Sequence, residues 1–95
     1  MYTKVDRALR DVFSAKLERL INDSDKSQVK LAEELGYDNQ NMITMIKQGK
    51  TRVPLEKVVP LARALVVNPS MLIQAWFTAY MPAALASIEP YMAWR

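Results

Sequence analysis

Apolar residues recur at three- and four-residue steps along most of this chain, and no stretch alternates with the period of two that marks a strand. The first periodic run extends from Thr3 to about Asn22. Val5, Leu9, Val12, Phe13, Leu17, Leu20 and Ile21 form one stripe of a helix. Thr3 with Asp6 has the spacing of a capping box. Asn22-Asp23-Ser24-Asp25 ends the run with side chains that bond to nearby backbone. Ser27 is the expected N-cap of a second helix, with Val29, Leu31, Ala32 and Leu35 apolar and Gly36 as its stop. Tyr37 leads into Asp38, the expected N-cap of a third helix. There Met42, Ile43 and Ile46 face the core, and Gly49 ends it.

A basic loop, Lys50-Thr51-Arg52-Val53, follows and closes with Pro54. Leu55, Val58, Val59, Leu61, Ala62 and Leu65 predict a fourth helix reaching Val66 or Val67. Pro60 conflicts with it, because proline lacks the N–H that bonds one turn back; the helix is kinked there or starts late. Asn68-Pro69 restarts the chain as cap and first helical residue. Met71, Leu72, Ala75, Trp76, Ala79 and Tyr80 mark a fifth helix ending near Met81, and Pro82 opens a short sixth before Pro90. The expectation is an all-α fold, a compact five-helix arrangement with a C-terminal helical extension, divided into residues 1–69 and an extension over residues 70–95 packed on the same domain.

With 95 residues, 51% of them hydrophobic, one domain can fill a core without staples. The chain has neither cysteine nor histidine. That removes the thiolate nucleophile, the disulfide, the commonest general base and the commonest metal ligand. Glu33 and Glu34 are adjacent and point different ways on a helix, so they do not form a catalytic pair. No enzyme activity, metal or cofactor is expected. The net charge of +3 is unevenly spread. Residues 1–38 hold seven bases and eight acids, and residues 64–95 only Glu89 and Arg95. Between them, Lys47, Lys50, Arg52, Lys57 and Arg63 face Glu56 alone, so a polyanion would be drawn to this segment.

That charge adjoins the stretch Ser27–Lys50, where two short helices joined by a tight turn leave an amide-rich face outward. Asn39, Gln40 and Asn41 open the third helix, and their amides can pair bidentately with adenine. Thr44 lies one turn on, within reach of a thymine methyl or a phosphate. Lys47, Lys50, Thr51 and Arg52 are placed for the flanking phosphates, which set register rather than sequence. Each has a plainer reading as well: Asn39 or Asn41 as a helix cap, Gln40 as a solvated glutamine, Lys47 and Arg52 as ordinary surface charges.

Ser27-Gln28, Leu31-Ala32, Leu35-Gly36, Ile43, Ile46, Gly49-Lys50, Pro54 and Leu61-Ala62-Arg63-Ala64-Leu65 occur in the order of the lambda-repressor-like helix-turn-helix family, which the chain resembles over residues 8–72. The chain departs from that pattern in a turn one residue longer between Gly36 and Ile43, and in Pro60. The resemblance implies a third helix lying in the DNA major groove. It also implies that Gln28 touches a phosphate and steadies that helix. The implied function is sequence-specific binding of double-stranded DNA by a transcriptional regulator, most simply a repressor on a palindromic operator.

Ala64 to Ile88 contains no charged residue, a length that allows a membrane helix, but Asn68-Pro69-Ser70, Gln74 and Pro82 argue against one. Trp76, Phe77, Tyr80, Met81, Tyr91 and Trp94 instead suggest a homodimer interface built by residues 70–94, with folding back onto the first helix as the alternative. A second function class fits the same tail: an antitoxin or adaptor that binds another protein, with DNA binding secondary. A third is a relative that kept the fold and lost DNA binding. Lys4, Arg7 and Arg10 interleave with Val5 and Leu9, unlike a secretory signal, and the absence of cysteine fits the cytoplasm.

Overall fold

Leu17, Leu31, Ile43, Ile46, Leu61 and Leu72 are almost fully buried and come from five different helices. The computed structural model describes residues 4–92. In chain order its helices are α1 (Lys4–Asp23), α2 (Gln28–Leu35), α3 (Asn41–Lys47), α4 (Leu55–Leu65), α5 (Pro69–Tyr80) and α6 (Pro82–Ile88), followed by a 3₁₀ turn over Glu89–Tyr91. Among the described residues there are therefore six α-helices rather than five with an extension. Met81, at φ −142° and ψ 58°, breaks the chain between α5 and α6, and Pro82 starts the new helix. Pro90 lies inside the 3₁₀ turn. None of the described helices is long and apolar enough to cross a membrane.

The expected caps hold at most joints. Ser27 accepts a hydrogen bond from the Lys30 N–H, and Asn68 accepts one from Ser70 ahead of Pro69. The cap of α3 differs from expectation. Asp38 lies ahead of the helix, Gln40 holds the N-cap position, and Asn39 Oδ1 accepts from the Asn41 N–H at 2.9 Å. The turn after Gly36 thus runs two residues further than Asp38, which shortens α3 to seven residues. Thr3 lies outside the described residues. Pro60 sits within an α4 that begins at Leu55, so that helix does not start late.

Three helices end on the same device, a residue with positive φ followed by a pair of backbone bonds reaching back over the last turn. At Gly36 the bonds are Gly36 N–H to Glu33 and Tyr37 N–H to Ala32. At Gly49 they are Gly49 N–H to Ile46 and Lys50 N–H to Met45. At the end of α4 they are Val66 N–H to Arg63 and Val67 N–H to Ala62, with Val66 at φ 59°. Only three residues separate α4 from α5, so the chain must reverse there, and a β-branched side chain is forced into the left-handed region.

A single core draws on α1 to α5. The fifth helix is part of it: Leu72, Trp76 and Ala79 are buried against α1 and α4. The boundary expected after residue 69 thus falls inside a core helix. The stripe on α1 is narrower than its periodicity suggests. Phe13, Leu17 and Ile21 are buried, whereas Val5 and Val12 are each 68% exposed. Lys57 on α4 donates to the Leu35 carbonyl and lies 5.2 Å from the Tyr37 ring, so it neutralises the C-terminal end of α2.

Val66 is 84% exposed, so its side chain contributes little packing to offset the backbone strain. Val66→Gly should raise stability by about 1 kcal/mol, read as a shift of the urea midpoint without a change in slope. A midpoint that stays or falls would show that the left-handed turn is not strained.

Candidate nucleic-acid interface

The short helix α3 is held by one face. Ile43 and Ile46 are buried, and the opposite side carries Asn41, Met45 and Gln48, all exposed, with Gln40 exposed at its start. These residues repeat at the helical period, so they form one outward stripe. Sequence reading found Asn39, Gln40 and Asn41 but passed over Gln48, which lies one turn beyond Thr44 and Met45. Met45, although apolar, is on the outward side and not in the core.

Thr44 and Lys47 have a different place. Gln28 Nε2 donates to Thr44 Oγ1 at 2.8 Å, and Lys47 Nζ donates to Gln28 Oε1 at 3.1 Å. The Thr44 hydroxyl in turn lies 3.4 Å from the Gln40 carbonyl, which accepts from it. One amide thus ties the first turn of α2 to two successive turns of α3. Both polar ends of Gln28 are engaged within the protein, and Thr44 is half-buried. The exposed polar set that remains is Asn39, Gln40, Asn41 and Gln48. Of these, Asn39 spends its carbonyl oxygen on the cap.

The loop that carries Lys50, Thr51 and Arg52 is fixed from α5. Val53 is buried, and its carbonyl accepts from Trp76 Nε1 at 2.7 Å. The Arg52 guanidinium lies 5.1 Å from the Trp76 ring centroid and 4.7 Å from that of Tyr80. Stacking of this kind holds the guanidinium in place while its N–H edge stays open to an acceptor. Lys50 is exposed and Thr51 half-buried beside it. The result is an uncharged polar stripe on α3 that runs into a rigidly mounted basic loop.

The aromatic set of the C-terminal half divides. Trp76 is core, not an exposed interface residue. Phe77 and Tyr80 are half-buried and meet Trp76 edge-on, at 5.0 and 5.3 Å between centroids, and Tyr80 also meets Phe13 at 5.5 Å. Met81 and Tyr91 are exposed, and Trp94 lies outside the described residues. Burial raises the Tyr80 pKa above 10.0, and this outweighs the opposing pull of the Val53 backbone, Arg10 and Arg52.

Trp76→Phe keeps the ring and deletes the donor. The Val53 carbonyl would then be buried without its partner, at a cost of about 1–3 kcal/mol. Chemical denaturation together with amide shifts over residues 49–53 checks this; unchanged stability would show that the bond does not hold the loop. The Tyr80 shift has its own signature. The unfolded chain loses the phenolic proton first, so the contribution of Tyr80 to stability is complete below pH 10 and is lost as pH rises through the folded value. Ultraviolet titration of wild type against Tyr80→Phe measures it, and a phenol that ionises at or below 10.0 would contradict the assignment.

No family model matches the chain, and no curated protein or solved structure is significantly similar to it.

Proposed function

We propose that the protein is a sequence-specific double-stranded DNA-binding regulator, a repressor acting as a homodimer on a palindromic operator. On this reading α2 and α3 form a helix-turn-helix of the lambda-repressor type. The observation that carries it is the outward face of α3. Gln40, Asn41 and Gln48 present exposed amides, Ile43 and Ile46 lock the other face, and Lys50 and Arg52 follow at its end. Amides at base edges and cations on the flanking backbone are the division of labour that sequence reading in the major groove requires. The Gln28 bridge supports the same reading, because a recognition helix of two turns needs an external tie to hold its angle.

The homodimer is supported by α6. It has no charged residue and no buried one, and Met81 just before it and Tyr91 in the 3₁₀ turn beyond it are exposed. A two-fold pair would set two recognition helices about 34 Å apart on one face of DNA. The same helix favours a second reading, an antitoxin or adaptor that uses α6 to hold another protein. Deleting residues 82–95 separates the two, since it spares Leu72, Trp76 and Ala79 in the core. A monomer that has lost its palindrome preference supports the dimer. Loss of a stable protein partner with DNA binding and dimer mass intact supports the adaptor.

Selection from a random duplex library at two salt concentrations tests the leading reading. A near-palindrome should be enriched and its affinity should fall steeply with salt. Enrichment of no motif would remove this reading. In the positive case Gln40→Ala should cost about 1–3 kcal/mol at one base position and relax specificity there, while Lys50→Ala should weaken all sequences alike and lower the salt slope by about 1. A change of base preference in Lys50→Ala would mean that the contacts are sorted wrongly.

A further inference from the structure

Arg7, Arg10, Asp11 and Ser14 lie at three- and four-residue steps on α1 and so share one face of it. That face looks onto the turn at Gly49 and the loop beyond. Two adjoining hollows open there. One, of about 200 Å³, is lined by Arg7, Arg10, Asp11 and Gly49. The other, of about 160 Å³, brings in Ser14, Lys50, Arg52 and Tyr80. Four cations and one carboxylate therefore line this pair of hollows, which form a cleft between α1 and the segment from Gly49 to Arg52. Each hollow has room for several waters, at about 30 Å³ apiece in the liquid.

The cleft is built rather than incidental. Arg10 and Arg52 lie 5.0 and 4.7 Å from the centroid of the same Tyr80 ring, so two guanidiniums are held by one aromatic side chain. Gly49 lets the turn approach α1 closely beside the cleft, since a Cβ there would come within 2.9 Å of Ser14 Oγ. Ser14 lines the second hollow, and Arg52 presents a planar fork whose geometry matches two oxygens of a tetrahedral anion.

We propose that this cleft is a phosphate-binding site, and that its α1 wall, Arg7 and Arg10, extends the phosphate track of the Lys50–Arg52 loop on to the first helix. The expected source of the phosphate is a backbone diester of duplex DNA, so this part rests on the proposed function. Free phosphate is the other source of the same chemistry, and its binding needs no DNA.

The test has two arms, each run on wild type, Arg7→Gln, Arg10→Gln and the exposed α1 control Arg19→Gln, with circular dichroism to show that each variant is folded. In the first arm, inorganic phosphate is titrated while the arginine Nε–H signals and the amides of residues 49–53 are followed. Saturable shifts with a Kd on the order of millimolar are expected for wild type and the Arg19 variant, and at least a several-fold weakening for Arg7→Gln and Arg10→Gln. In the second arm, the salt slope of duplex binding should fall by about 1 in each of those two variants and stay unchanged in the control. A fall in slope, with or without shifts from free phosphate, supports the diester. Shifts that depend on Arg7 and Arg10, with DNA binding absent or its slope unaltered, support the site with free phosphate as its source; absent DNA binding then defeats the functional reading alone. If Arg7→Gln, which alters an exposed residue, behaves like the control in both arms, the proposal is overturned while the DNA reading stands or falls on its own selection.

Discussion

The arrangement depends most on a single residue of loop, Val53, whose carbonyl is bound by the Trp76 indole across 23 residues of sequence. An interior carbonyl without a donor is costly, so the bond constrains both partners. It brings α5 up against the end of the α3–α4 connection. That places Val53 in the core, stacks Arg52 on Trp76 and Tyr80, and sets the point from which α4 departs. Without it the basic loop would be an ordinary flexible connection. With it, the loop belongs to the same rigid body as the helices on either side.

The second constraint is local to α2 and α3. Seven residues of helix cannot hold their own orientation, because helix formation is cooperative and a segment this short is marginal alone. Two buried isoleucines fix its depth, and the Gln28 amide fixes its rotation by joining Thr44 and Lys47. Lys57 plays a comparable part for α2 by satisfying the Leu35 carbonyl. Side chains that an inventory of charge would count as free cations are therefore partly structural. Of the five bases between residues 39 and 63, Lys47 and Lys57 hold helices in place, and Arg52 is mounted on aromatic rings.

Much of the helix order was legible in the sequence, because periodicity, Ser27, Gly36 and Asn68-Pro69 are local signals and the forces that set helix ends are local too. What depends on distant partners was not. Val5 and Val12 fit the apolar period of α1 but remain largely exposed. Trp76 reads as surplus aromatic surface until the carbonyl that claims it is known. Asp38 is a good cap by type, yet the longer turn carries the helix start past it to Gln40. The α3 face was readable as far as Asn41, whereas Gln48 needed the helix register to be fixed by Ile43 and Ile46. Arg7 and Arg10 carried no motif at all; only the packing of α1 on the Gly49 turn brings them to the loop.

The membership of α5 in the core has a consequence for synthesis. A chain emerging from the ribosome completes the residues of α2, α3 and the basic loop well before Trp76 and Tyr80 exist. Until those two have cleared the exit tunnel, the Val53 carbonyl and the flanks of α1 and α4 have no partner, and Arg52 has no ring to lie on. Maturation of the proposed binding face is therefore vectorial. The surface formed by α3 and the loop after it acquires its final shape only when the fifth helix docks.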